Sequence, residues 1–129
     1  MNNPLEVSFR GIPQSQLVES VIQEKFEKVK RINKDIIKCH VVMEKLSNHH
    51  QKGNAYCVRL DLRLPHFSDI VVSEDSKEGE VPLASAVREA FKKAQSLMRE
   101  QLERHIKKIQ PHGQKEILAL ESSEELEDR

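Results

Sequence analysis

The sequence predicts an α+β fold with the order β-α-β-β-β-α, a four-stranded mixed sheet with two helices packed on one face. Two observations predict it. Four stretches alternate apolar and polar residues, which is the period of a strand, and two longer stretches place apolar residues every three or four positions, which is the period of a helix. The first two strands should be parallel through a right-handed crossover, and the remaining strands should form a meander. Two helices on one face would cover the apolar side of the sheet.

The first strand is predicted by three apolar residues that alternate with polar ones, namely Leu5, Val7 and Phe9. Gly11 and Pro13 end it, and a helix is predicted over residues 14–32 with Ser15 as its cap. One helix face is apolar and consists of Val18, Ile22, Phe26 and Val29, with Val21 and Ile32 beside them.

The second strand is predicted from the alternating residues Ile37, Cys39, Val41 and Met43, and residues 45–54 are predicted to be a hairpin loop. The third strand has the clearest alternation, with the apolar residues Tyr56, Val58, Leu60, Leu62 and Leu64. Pro65 should stop that strand, since proline cannot donate to the ladder. A short fourth strand is expected over residues 69–73, followed by an acidic loop over residues 73–80.

The second helix is predicted to be long and to have Pro82 in its first turn, where proline is tolerated. Pro111 and Gly113 should end it. Its apolar face is predicted to consist of Leu83, Val87, Ala90, Phe91, Ala94, Leu97, Met98, Leu102, Ile106 and Ile109.

The chain has 129 residues, so we expect one domain over residues 1–113 and an acidic, flexible tail over residues 114–129. No apolar run reaches the ~18–20 residues of a membrane span. The start lacks the features of a secretory signal, so a cytoplasmic protein without a membrane partner is expected. Two cysteines argue against a disulfide scaffold.

The formal net charge is zero, but acidic and basic residues are distributed unevenly along the chain. Residues 116–129 contain six acids and one base, whereas residues 1–115 contain 20 bases and 15 acids, a net charge of +5. The segment 83–110 contains seven bases and three acids. A nucleic-acid partner is therefore not excluded by the overall neutrality. The tail could serve solubility alone.

The sequence lacks the motifs of common catalytic and metal sites. There is no glycine-rich phosphate loop, no G-x-S-x-G and no H-E-x-x-H. Cys39 and Cys57 should point to opposite faces of the sheet, so neither a disulfide nor a joint site is expected. The histidines do not match a zinc pattern. We therefore expect no enzyme, no metal and no cofactor.

Basic residues on the two predicted helices suggest a surface that follows phosphates. Arg88, Lys92 and Arg99 would form one stripe, and Lys25 and Lys28 are close neighbours on the first helix. The same residues also fit a solvated face with i,i+4 ion pairs, so both interpretations stay open. One tyrosine and no tryptophan argue against base stacking, so structured RNA fits better than single strands.

The residues from His49 to Leu62, HHQKGNAYCVRLDL, followed by Leu64 and Pro65, resemble the short form of the ribosome hibernation promoting factors. These are also called ribosome-associated inhibitor A or sigma-54 modulation proteins. Three further stretches are similar, namely Val7-x-Phe9-Arg10, Glu24-Lys25-x-x-Lys28 and Cys39-x-Val41-Val42-x-Glu44. The resemblance covers about residues 5–109.

The resemblance implies a cytoplasmic, non-enzymatic protein that takes no small-molecule substrate. Such a protein binds the small ribosomal subunit in the channel for mRNA and tRNA, silences translation and preserves idle ribosomes during stress or stationary phase. By the same resemblance, the residues expected to contact ribosomal RNA are Lys25, Lys28, Arg31, Lys52, Arg88, Lys92 and Arg99. Weaker candidates are His49, His50, Arg59 and Arg63.

The chain also departs from the family pattern. The second helix of the family usually opens with D-x-Y-x-A-I, whereas here the stretch is Glu80-Val-Pro-Leu-Ala-Ser-Ala86-Val87 and lacks the tyrosine. The dimerisation domain of the long form and the cold-shock domain of some relatives are not expected in this chain. Two alternatives remain, namely an adaptor that binds proteins through the exposed sheet face or the acidic tail, and a thiol-based sensor or small enzyme using Cys57.

Overall fold

The computed structural model describes residues 3–46 and 54–109. The elements follow the predicted order, which confirms the predicted fold class. They are β1 (Leu5–Arg10), α1 (Gln16–Ile32), β2 (Lys38–Lys45), β3 (Asn54–Arg63), β4 (Ile70–Lys77) and α2 (Glu80–Ile109).

The sheet has the strand order β1-β2-β3-β4. β1 and β2 are parallel, from the pair Leu5 and Cys39 onwards, and the other two neighbouring pairs are antiparallel. This is the predicted mixed sheet with one parallel pair and a meander. Gly11 leaves β1 with a φ of +72°, and a Cβ atom there would lie 3.2 Å from the Cβ of Lys45. Glycine is the residue that adopts this backbone conformation at no steric cost.

Helix α1 is capped at both ends by hydrogen bonds. The Ser15 hydroxyl accepts a hydrogen bond from the Val18 N–H at 3.2 Å, as predicted for an N-cap. The helix therefore begins at Gln16 rather than at residue 14, since the cap itself has extended backbone. At the other end, the Asn33 N–H donates to the Val29 carbonyl at 3.1 Å.

The core of residues 1–95 lies between the helices and one face of the sheet. α1 contributes Val18, Val21, Ile22, Phe26 and Val29 of its predicted apolar face, whereas the predicted Ile32 is only half-buried. α2 contributes the buried residues Leu83, Val87, Ala90, Phe91 and Ala94. The strands contribute their inward residues Cys39, Val41, Met43, Val58, Leu60, Leu62, Ile70 and Val72. Each large apolar side chain that is fully buried stabilises the fold by roughly 1.5–3 kcal/mol.

The chain divides into two compact units, residues 1–95 and residues 96–129. In the second unit, residues 96–109 are helical and belong to α2. Met98 and Ile106 are buried, whereas Leu97 is 38% exposed, so its predicted place in the apolar face is wrong. At 100° per residue, Leu97 lies at the edge of the apolar arc.

Strand β4 is longer than predicted. It runs to Lys77, so most of the expected acidic loop is a strand that pairs with β3. Glu74 lies opposite Val58, and Ser76 lies opposite Tyr56 and is buried. Backbone pairing with β3 satisfies the main-chain groups along one edge of this polar segment, and the apolar pattern of the sequence could not indicate this pairing.

Ile37 is also placed differently from the prediction. It precedes β2 and is 60% exposed, whereas its neighbour Ile36 is buried. The predicted hairpin loop begins and ends in strand residues, since Lys45 belongs to β2 and Asn54 to β3. Residues 47–53 of that loop lie outside the described residues.

Candidate functional site

Two basic residues of α2 lie on the side of the helix that faces solvent. Arg88 and Lys92 are one helical turn apart, and both are exposed. Within residues 3–46 and 54–109, neither side chain forms an ion pair or a hydrogen bond. No described group therefore neutralises these two charges, and both side chains are exposed.

Lys93, the next residue of α2, is in a different electrostatic situation. Its ammonium forms an ion pair with the Glu74 carboxylate of β4, whose side chain is only 17% exposed. The hydrogen bond to Glu74 and the negative charge of that carboxylate raise the pKa of Lys93. Among the described residues, Lys93 thus has an ion-pair partner within the fold, whereas Arg88 and Lys92 have none.

Helix α1 adds a second group of basic residues. Lys25 and Lys28 are half-buried and Arg31 is exposed. Lys25 forms no ion pair with any described residue, whereas Lys28 and Arg31 each interact with another group of the protein. Lys30 lies 4.0 Å from the Glu27 carboxylate and 5.6 Å from the centre of the Phe26 ring. A half-buried lysine can bury its aliphatic stem while its ammonium reaches solvent.

A buried hydroxyl connects the starts of the two helices. Ser15 is 5% exposed and donates a hydrogen bond of 2.5 Å to the carboxylate of Glu80, the first residue of α2. The same hydroxyl accepts from the Val18 N–H. This contact joins the N-termini of the two helices that contain the basic residues.

Arg99 belongs to the second unit, and its side chain is half-buried. It interacts with another group of the protein. In the same unit, the Arg104 guanidinium donates to the Glu100 carboxylate at 2.9 Å. The structure therefore shows Arg99 on α2, as predicted, in a more enclosed position than Arg88 or Lys92.

The weaker candidates Arg59 and Arg63 lie on the opposite face of the sheet. Both are exposed β3 residues that alternate with the buried Leu60 and Leu62. The Arg63 guanidinium lies 3.6 Å from the Asp69 carboxylate. One flat RNA surface cannot contact both this face and the helices. Lys52, His49 and His50 lie outside the described residues.

We call the side of the sheet that faces away from the helices the open face. It contains a depression of about 340 Å³ lined by Arg10, His40, Val42, Glu44, Cys57, Arg59, Asp61 and Ser73. The His40 Nε2 atom lies 3.0 Å from the Ser8 hydroxyl and 3.9 Å from the Glu6 carboxylate. Arg10 was not among the predicted site residues. The outward register of β1 is the signal that could have indicated it.

The two cysteines are both free and lie on opposite faces, as predicted. Cys39 is fully buried, and burial, with a smaller contribution from the charge of Asp61, raises the pKa of its thiol to about 12. Cys57 is half-buried in the open face, and desolvation raises its pKa, helped by the charges of Asp75 and Glu44. A raised pKa disfavours the reactive thiolate in both residues.

Among the described residues, no group of three or more histidine, cysteine or acidic side chains is arranged to hold a metal ion. No helix in that part of the chain is both long and apolar enough to span a membrane.

The family was identified by comparison with known proteins. A profile of the family described as "Sigma 54 modulation protein / S30EA ribosomal protein" matches residues 5–110. The chain belongs to this family. The Sigma 54 modulation protein / S30EA family is ribosome-associated and is not a known enzyme family. Its match covers nearly the same residues as the sequence resemblance, which is thereby confirmed.

Solved structures share the S30EA fold with this chain. A ribosomal subunit interface protein from Coxiella burnetii superimposes with a TM-score of 0.59 at 14% identity, covering 74% of this chain and 93% of that chain. The N-terminal domain of Protein Y from Thermus thermophilus gives a TM-score of 0.56 at 15% identity, covering 78% of this chain and 98% of that chain. At these identities the similarity shows the fold alone. No curated protein matches the chain significantly.

Proposed function

We propose that this protein binds the small ribosomal subunit, through ribosomal RNA in the channel that mRNA and tRNA would occupy, and silences translation during stress or stationary phase. Family membership and the name of one structural neighbour, a ribosomal subunit interface protein, support a ribosomal partner. A ribosomal partner also implies that the protein acts in the cytoplasm.

The main structural support is a set of basic residues on the helices, two of them exposed and one half-buried, that form no ion pair with another described group. Phosphate contacts supply most of the affinity of a protein for nucleic acid, and they need cations that are not already paired. Lys25, Arg88 and Lys92 meet this condition within the described part of the chain. We propose these three as the main phosphate contacts. Further proposed contacts are Lys28, Arg31, Arg99, Lys52 and the histidine pair His49 and His50.

Binding of this kind would not require chemistry. Structured RNA is recognised mainly by its shape and by its phosphates, and one charge-rich helix surface is suited to both. A folded domain that occupies the channel would exclude mRNA and tRNA by its volume. We propose that residues 1–113 are this domain and that residues 114–129 are an acidic tail outside it.

Sedimentation of the protein with purified small subunits at low salt tests the proposal. We expect the wild-type protein to sediment with the subunits and to dissociate as the salt concentration rises, because counterions compete for the phosphates. The variant Arg88→Glu/Lys92→Glu should stay at the top of the gradient. A matched variant with the same change in net charge, Lys38→Glu/Lys77→Glu, changes the open face outside its depression and should still sediment.

The proposal fails if the wild-type protein stays at the top of the gradient at low salt. Equal loss of sedimentation in both double variants would instead show that only net charge matters and would remove Arg88 and Lys92 from the site. Binding that survives nuclease treatment and high salt would favour the protein-adaptor alternative.

A further inference from the structure

The open face is polar around its depression, and its charges are arranged differently from those of the helices. Its depression contains two cations, Arg10 and Arg59, and two carboxylates, Glu44 and Asp61. The sheet register places unlike groups side by side, since Arg10 lies opposite Glu44 and His40 lies opposite Asp61. This part of the face is therefore close to neutral as a whole.

The charged groups of the depression do not neutralise one another by contact. Within residues 3–46 and 54–109, no ion pair is formed by Arg10, Glu44, Arg59 or Asp61. Cross-strand neighbours of opposite charge lie close enough to interact, yet among the described residues these four groups form no ion pair with one another. Both signs of charge thus remain available to a partner.

The charge pattern decides what kind of partner fits. A phosphate backbone has one sign of charge, so the carboxylates of Glu44 and Asp61 would repel it as strongly as the arginines attract it. A protein surface offers both signs, and a carboxylate can form a bidentate contact with a guanidinium. The lining of the depression also includes Val42, which is almost fully buried, and Cys57, which is half-buried. A contact between a guanidinium and a carboxylate there would be partly shielded from water, which strengthens it.

We infer that the open face docks a protein surface of mixed charge, in which a carboxylate meets Arg59 and basic side chains meet Asp61 and Glu44. The inference rests on the proposed function, because the partner is a ribosomal protein beside the RNA contacted by the helices. The four strands are together only about 15–20 Å wide. This face therefore adds a modest part of the total affinity, with RNA contacts providing the rest.

The test compares two probes, intact small subunits and the same ribosomal RNA after removal of its proteins. The Arg59→Glu variant should bind intact subunits roughly tenfold more weakly than wild type, since charge reversal replaces an attraction with a repulsion. Its affinity for the protein-free RNA should be unchanged. The matched Lys77→Glu variant has the same charge change at the end of β4 outside the depression, and it should bind both probes like wild type.

A photo-crosslinking group at Ser73 identifies the partner directly, since Ser73 is exposed and lines the depression. A Ser73→Cys variant in a Cys57→Ser background provides the attachment point, and Cys39 stays unlabelled because it is fully buried. Crosslinks from the subunit-bound protein should go to ribosomal protein. Crosslinks to RNA alone would overturn the inference.

The outcomes separate the two proposals. If the wild-type protein does not bind small subunits, the proposed function fails and this inference fails with it. If wild type and Arg59→Glu bind intact subunits equally, the proposed function stands and the inference about the open face is wrong. An equal loss for both probes would show that Arg59 contacts RNA, and this also contradicts the inference.

Discussion

Neutralising single basic residues of α2 tests whether the structure distinguishes RNA contacts from internal ion pairs. The changes are Arg88→Gln, Lys92→Gln and Lys93→Gln, each removing one positive charge without introducing a negative one. The three residues lie within two turns of one helix and all are exposed. They differ in their partners, since only Lys93 is paired with Glu74.

The expected magnitude follows from counterion release. Each phosphate contact steepens the slope of log K against log salt concentration by about 0.9. Relative to 1 M salt, one contact therefore contributes about 0.9 log units at 0.1 M salt, or roughly eightfold in affinity. Losing both Arg88 and Lys92 should therefore weaken RNA binding about 60-fold, roughly 2.5 kcal/mol, and should reduce the slope by about 1.8. Lys93→Gln should leave the slope unchanged.

The assay is a titration of protein-free small-subunit RNA at several salt concentrations, with the slope determined for each variant. Urea unfolding provides the control for folding. Arg88→Gln and Lys92→Gln should change the free energy of unfolding by no more than about 0.5 kcal/mol, as is usual for exposed substitutions without partners. A slope that falls equally in Lys93→Gln and Lys92→Gln would refute the reasoning, because the ion pair with Glu74 would then make no difference.

Three further predictions concern the fold. Ser15→Ala should lower the free energy of unfolding by about 2 kcal/mol in urea titrations, since it removes an N-cap and a partner of Glu80. Ser15→Thr keeps a hydroxyl and should retain most of the wild-type free energy of unfolding, so equal values for the two variants would contradict the capping role. Native protein should react with a maleimide at Cys57 only, and labelling of Cys39 without unfolding would contradict its burial. Between pH 9 and about 12 the wild type should lose stability relative to Cys39→Val by roughly 1.4 kcal/mol per pH unit. The reason is that the Cys39 thiol ionises in the unfolded chain, whereas in the folded protein it stays protonated because its pKa is raised to about 12. Parallel pH profiles of stability for the two proteins would refute this prediction.

Hydrophobic periodicity determined the element order and the fold class. Alternation and helical spacing are local properties, and they predicted the faces of α1 and β3 correctly because side-chain direction is fixed by the backbone of each element. The cap at Ser15 was also predictable, since it needs only a hydroxyl one position before the helix. The family resemblance likewise depended on a local stretch of residues around β3.

The sequence could not determine which polar residues would meet across the fold. The length of β4 depended on pairing with β3, and the ion pair between Lys93 and Glu74 joins positions about twenty residues apart in sequence. The exposure of Ile37 has the same origin, and so does the lack of ion pairs between described groups at Arg10 and Arg59. Local sequence therefore determined the elements and the basic character of this protein. Tertiary packing decided which charged residues form ion pairs within the fold and which can bind a partner, because ion pairing depends on distances between elements.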